Sequence, residues 1–251
     1  MKYTVKYFYE NFPEWKRKKD SVLVRYFFRP ISFVFASLFA SLGFTANGVS
    51  MFSTFVAFLA SAMFVIPNHI CHIVGACLVA VWMILDCVDG NIARSVKKQA
   101  FGEFVDSCSS YCLIASLFIC VGIAAYNSGG VLFSVGDATI VIIGALASIA
   151  DPLSRLLYQK YLSCAKTYEN DTNTAQTEKG KLRKLQDRID KEIGLNGIFI
   201  PGIIVCAIFN WLDIFAIVYC CYYVGELLVS LLYFNYKTIK YNKSHQVEEN
   251  K

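Results

Sequence analysis

The chain has 251 residues, of which 56% are hydrophobic, and its 24 Lys and Arg outweigh 19 Asp and Glu for a net charge of +5. A mean hydropathy of +0.46 excludes an ordinary water-soluble domain and a disordered chain, and points to an all-α integral membrane protein. The ten cysteines do not read as a disulfide scaffold, because most, including Cys120, Cys206, Cys220 and Cys221, sit in apolar stretches where cysteine behaves as a small hydrophobe.

Every Lys and Arg falls within 2–29, 94–98, 155–191 or 237–251. Each intervening stretch is long enough for two membrane helices of about 20 residues that return to the side they left. The positive-inside rule then places all four clusters, and both termini, in the cytoplasm. The reading is six transmembrane helices.

In chain order, residues 1–20 are charged and aromatic, with Lys16-Arg-Lys-Lys19 and no early apolar core of a cleaved signal peptide. Residues 21–45 are apolar but interrupted by Arg25, Arg29 and Pro30. The uncharged part from Ile31 to Gly43 would rise only about 20 Å as a helix, which suits an amphipathic helix lying in the interface. A tilted span with the N-terminus outside is the other reading. Residues 1–45 thus form a cytoplasmic and interfacial segment, 46–237 the six-span domain and 238–251 a cytoplasmic tail. Asn47 is the expected N-cap of the first span. The spans are expected at 47–66, 69–90, 103–126, 138–157, 196–211 and 214–236, joined outside by polar or turn-forming residues such as Pro67-Asn68 and Trp211 to Asp213. Residues 163–195 form a cytoplasmic loop in which Leu182, Leu185, Ile189 and Ile193, with Gly194 as a stop, describe a surface-lying amphipathic helix.

Chemistry concentrates where the second span ends and the third begins. Asp86 and Asp89 are spaced i, i+3 and share one helix face, and Asp106 opens the next helix. Unpaired carboxylates at a membrane edge are costly, and a divalent cation relieves that cost. Oxygen-only ligands favour magnesium or manganese. Arg94, just past Gly90 and Ala93, suits an anionic phosphate. The pattern reads as a site for a metal-bound diphosphate. Cys108 and Cys112 lie beside it but are the wrong donors for a hard ion. His69, Cys71 and His72 read as an interfacial helix start. Asp151 reads as a salt bridge or cap at a helix end, and Glu226 as a buried packing contact.

The segment from Asp86 to Ser110 resembles the signature of the CDP-alcohol phosphatidyltransferase family, Asp-x-x-Asp-Gly-x-x-Ala-Arg followed after seven or eight residues by Gly-x-x-x-Asp-x-x-x-Asp. Asp86, Asp89, Gly90, Ala93, Arg94, Gly102 and Asp106 match it, and Ser110 stands where the family has its last aspartate. The Thr45–Ser50 stretch also resembles the segment that opens the family's first span. The resemblance implies transfer of a substituted phosphate from a CDP-alcohol, such as CDP-diacylglycerol, to an acceptor alcohol with release of CMP. Asp86, Asp89 and Asp106 would hold Mg2+ or Mn2+. Gly90 and Ala93 would leave room for the nucleotide, Arg94 would pair with phosphate oxygens, and Gly102 would let the third helix approach.

The missing aspartate is the family's base, and Ser110 is a poor one. Glu103, at i, i+3, i+7 with Asp106 and Ser110, is the candidate replacement base, and an acidic or phosphorylated acceptor that supplies its own base is the alternative. One-metal or slow chemistry, and a nucleotide-binding pseudoenzyme, stay open, as do an intramembrane prenyltransferase and a transporter of a different class. The implied setting is phospholipid or cell-surface glycolipid or polymer biosynthesis. It places the protein in a bacterial inner membrane with the site facing the cytoplasm. The lipid bilayer, a CDP-alcohol and an alcohol are the expected partners. A homodimer stays open, and nucleic acid is not expected.

Overall fold

A computed structural model describes residues 3–168, 192–195 and 197–249, and every regular element among them is helical. Two short helices, α1 (Val5–Glu10) and α2 (Glu14–Lys19), lead through a π-helical turn at Val24–Phe28 into α3 (Arg29–Ser41). The widened turn lies next to Pro30, whose missing N–H cannot serve the turn before it. There follow α4 (Ala46–Val65), α5 (His69–Ser95), α6 (Gly102–Ser128), α7 (Thr139–Tyr168), α8 (Phe199–Phe209) and α9 (Leu212–Glu249). Helices α4, α5, α6, α7 and α9 are long and apolar enough to cross a membrane, so the chain is an integral membrane protein.

Three sequence expectations change. The N-cap of α4 is Thr45, whose hydroxyl accepts the Gly48 amide at 3.1 Å, while Asn47 lies inside the helix. Helices α5, α7 and α9 run past the expected ends of their spans to Ser95, Tyr168 and Glu249. The stretch expected as a span at 196–211 holds an eleven-residue helix, about 16 Å long at 1.5 Å per residue. It starts late because the chain turns first: the Gly197 amide donates to the Gly194 carbonyl and the Ile198 amide to the Glu192 carbonyl, each at 2.9 Å. Of the expected amphipathic helix in the loop, Leu182, Leu185 and Ile189 lie outside the described residues.

The bundle is built around α4, α5 and α6, with α7 against α6 and α9, and α3 and α8 on α5. Without a hydrophobic drive between helices in lipid, close approach and polar contacts do the holding. A Cβ at Gly122 would stand 2.8 Å from the Ile140 carbonyl oxygen, so only glycine lets α6 and α7 meet there. Hydroxyl pairs cross between helices at Ser61–Ser116, 2.8 Å, and Ser154–Ser230, 3.0 Å. Phe118, midway along α6, packs its ring against Phe199, Phe215, Tyr219 and Tyr223, which joins α6, α8 and α9.

The end of the bundle away from the signature closes on Asp213. Its fully buried carboxylate accepts the Leu132 amide at 2.6 Å, the Phe133 amide at 3.2 Å and its neighbour Ile214's amide at 2.8 Å. Asn210, in the left-handed region at φ 58°, donates to the Gly129 carbonyl at 3.3 Å. The α6–α7 and α8–α9 connections therefore share one end of the bundle. Asp213→Ala leaves two loop amides without their acceptor and is expected to cost about 1–3 kcal/mol for each that stays buried. Thermal unfolding in detergent, compared with an Ala substitution at exposed Phe209, measures it.

Candidate active site

Helix α5 must carry polar residues at its last turns and still pack, and it does so by facing them toward α4 and α6. Asp89 is buried and accepts the Ser50 hydroxyl at 2.5 Å. One helical level away, Ser109 joins the Ser53 hydroxyl at 2.7 Å and accepts the Trp82 indole N–H at 2.8 Å. The connection between α5 and α6 is clamped to the start of α4. The Asn47 amide donates to Gln99 Oε1 at 2.8 Å, and its side chain Nδ2 donates to the Ala100 carbonyl at 3.0 Å. Phe101, left-handed at φ 58°, then turns the chain directly into α6.

This turn brings Asp106 back against Asp86, the two carboxyl groups lying within hydrogen-bonding reach, with Asp89 close enough to feel both. The signature's three acids are thus one cluster drawn from two helices. None of the ion pairs among the described residues involves them. The nearest buried cation, Arg29, has its donors committed. Its guanidinium forks onto Asp20 at 2.9 and 3.0 Å and donates to Asn91 Oδ1 at 3.1 Å. Asn91 in turn donates to the Ser32 hydroxyl at 2.9 Å.

The remaining signature positions separate. Gly90 makes room for Arg94: a Cβ there would lie 2.7 Å from an Arg94 guanidinium nitrogen. Arg94 is exposed, donates to Asn91 Oδ1 at 3.4 Å and stands 5.7 Å from the Phe12 ring centre. Ala93 is half-buried against the core. A Cβ at Gly102 would meet Asn47 Oδ1 at 3.4 Å, an ordinary contact.

Asp86, Asp106 and Ser110 line a cavity of about 1060 Å3 that continues between α7 and α9. The Ser110 hydroxyl donates to the Ser107 carbonyl at 3.0 Å. Glu103 is exposed in the first turn of α6, near enough to Asp106 to act on its charge, and is not among the residues lining the cavity. The far wall holds Asp151, buried and paired to Arg155 at 2.7 and 3.0 Å, together with Tyr223 and Glu226. Asp151 is therefore the salt bridge expected of it. Arg155 also stands 5.7 Å from the ring centre of Tyr111, the residue after Ser110.

Among the described residues, no three acidic, histidine or cysteine side chains already converge as a metal cage. The donor chemistry nevertheless fits a hard divalent ion: three clustered carboxylates, two of them facing the cavity and Asp89 buried beside them, have no ion-pair partner among the described residues, and the ion would draw them in. Cys108 and Cys112 are free thiols. His72 is buried, stacked 6.1 Å from Phe64 and bonded to the Ile66 carbonyl at 3.0 Å, a core contact.

Sequence reasoning missed Asp20, Arg29, Asn91 and Ser50. The signal for Arg29 was present, a charge inside an apolar run, but its partner lies nine residues away and its other contacts lie on a different helix.

The sequence profile described as CDP-alcohol phosphatidyltransferase matches residues 44–177, from the start of α4 through α7. No curated protein matches the chain.

Because the three acids repel in the absence of a cation, Asp86→Asn is expected to raise the melting temperature in chelator, by ~2–4 °C for each kcal/mol of repulsion relieved. Magnesium is expected to stabilise the wild type more than the variant. A lower melting temperature for Asp86→Asn in chelator would show that the acids are already compensated.

Proposed function

The chain belongs to the CDP-alcohol phosphatidyltransferase family, and from that premise we propose that it moves a substituted phosphate from a CDP-alcohol, such as CDP-diacylglycerol, to the hydroxyl of an acceptor alcohol with release of CMP. The observation that carries this reading is the clustering of Asp86, Asp89 and Asp106 from two helices, with Asp86 and Asp106 opening onto one cavity and Asp89 buried behind them. We place the reaction at the cytoplasmic face, in phospholipid or cell-surface glycolipid or polymer biosynthesis.

Asp86, Asp89 and Asp106 would hold the magnesium or manganese ion, which when bound neutralises charge on the diphosphate and the leaving CMP. Ser50 holds Asp89 in place, and the Ser53–Ser109–Trp82 contacts fix α4, α5 and α6 at the site. Arg94, folded over Gly90, pairs with phosphate oxygens. In the transfer the acceptor oxygen bonds to phosphorus as the phosphorus–oxygen bond to CMP breaks. We assign the acceptor's proton to Glu103, the acid beside Asp106 at the start of α6. One observation favours a second reading. Ser110, at the position of the family's base, spends its hydroxyl on its own helix, as a protein that binds nucleotide without turnover would allow.

CMP release decides between them. Purified protein with magnesium or manganese is expected to release CMP from at least one CDP-alcohol offered with a panel of acceptors. Asp86→Ala, Asp89→Ala and Asp106→Ala are each expected to abolish metal-dependent nucleotide binding while the protein stays folded. Binding that ignores chelator removes the metal assignment.

Glu103→Gln is expected to lower turnover by about 10²–10⁴-fold, the usual weight of a general base, with nucleotide affinity intact and Ser110→Ala nearly silent. If Glu103→Gln is silent while the wild type turns over, the base lies elsewhere. Turnover that rises above wild type in Ser110→Asp supports loss of the base without replacement.

We further propose six crossings with cytoplasmic termini, the fifth made by α8 together with the turns before it. The shared end of the Asn210–Asp213 and Gly129–Phe133 connections supports this. Cysteine labelling is expected to place 1–20, 165–190 and 240–251 on one side of the membrane, and finding 165–190 opposite the others overturns the topology.

A further inference from the structure

A second cavity, of about 820 Å3, opens within the N-terminal segment on the other side of the Asp20–Arg29 pair from the carboxylates. Its walls bring together Lys6, Arg17, Lys18 and Arg25 with the rings of Tyr9 and Tyr26. Asp20, the acid in that wall, is already forked onto Arg29 and lies 3.4 Å from Lys16. Lys6 has only a surface contact with Glu10 at 3.7 Å, worth little in water.

Arg25 is the telling residue. Its Nη2 donates to the Lys18 and Asp20 carbonyls at 3.1 and 3.3 Å, but its Nε is buried with no acceptor. A buried donor on a permanently charged group is costly unless an oxygen reaches it. Arg17 stands 5.1 Å from the Tyr9 ring centre, a contact that leaves the edge of its guanidinium available for an oxyanion. The cavity thus holds more positive charge than its own walls neutralise, and its cations are the types that bind phosphate.

The rim says where that phosphate comes from. Tyr9 and Tyr26 are 57% and 74% exposed, and Trp15 and Phe27 on the same segment are 62% and 56% exposed. Exposed aromatic rings beside lysines and arginines are the composition of a membrane–water boundary. We propose that this N-terminal cavity binds the phosphate group of an anionic membrane lipid, held by Arg17, Lys18 and Arg25 with Tyr9 and Tyr26 at its mouth. The site stands apart from the transfer reaction and does not depend on it.

The full chain in detergent is titrated with phosphatidate, with phosphatidylcholine and with inorganic phosphate, and bound lipid is read by native mass spectrometry. The wild type is expected to retain phosphatidate over phosphatidylcholine. The Arg17→Gln/Lys18→Gln variant is expected to lose about tenfold of that preference, the weight of one charge-assisted contact, and Arg25→Gln alone is expected to show the same loss. A Lys237→Gln/Lys240→Gln control, which removes equal charge from α9, is expected to keep it. Inorganic phosphate that displaces the lipid shows that the cavity also takes the free anion, and failure to displace it shows that the lipid is the ligand. Absence of any preference in the wild type, or equal loss in the pocket variant and the control, overturns the proposal.

Discussion

Asp86, Asp89 and Asp106 carry like charge on two helices that meet at one end of an apolar bundle, and their proximity is the condition that the surrounding structure has to satisfy. Left to themselves the acids would push α5 and α6 apart. Ser50 anchors Asp89 from α4, Ser109 ties α6 to both Ser53 and Trp82, and Asn47 clamps the connecting loop. All of these contacts are polar, as they must be where the hydrophobic effect supplies no force between helices. Acids crowded together without a paired cation are the arrangement that a bound divalent ion would relieve.

A second buried charge system stands beside the first. Asp20 and Arg29 pair bidentately, and Arg29 reaches across to Asn91 on α5. That pair docks the N-terminal segment onto the signature helix and stands in the wall of two cavities, one that holds Asp86 and Asp106 among residues of both signs and one lined mostly by basic residues. Tyr7 adds a further tie, its hydroxyl donating to the Ser95 carbonyl at 2.6 Å at the end of α5. The first forty residues are thus part of the site's framework.

Much of this was legible in the sequence, and for an identifiable reason. The membrane helices announce themselves by apolar length, which local composition sets. Asp86 and Asp89 share a face because they are one helical turn apart, which again needs no tertiary knowledge. The family followed from the spacing of Asp86, Asp89, Gly90, Ala93, Arg94, Gly102 and Asp106, and the profile match over 44–177 agrees. The N-cap was misread because Thr45 and Asn47 are both good caps; the helix begins two residues earlier, with the Thr45 hydroxyl on the Gly48 amide, and Asn47 uses its donors to hold Gln99 and Ala100. The half-length α8 was misread because an apolar run does not reveal that its first residues turn before the helix begins.

The sequence by itself determined the membrane-embedded helical class, the residues of the signature and the position at which Ser110 replaces an acid, because each is a property of residues close together in the chain. Only the tertiary structure decided that Asp106 lies against Asp86, that Arg29 is spent on Asp20 and Asn91, that Ser50 holds Asp89, and that Ser110 lines the cavity while Glu103 does not. Those facts depend on how helices far apart in sequence dock against one another. That docking is set by small residues such as Gly122 and by single hydroxyl and amide contacts, which leave no periodic trace in the chain.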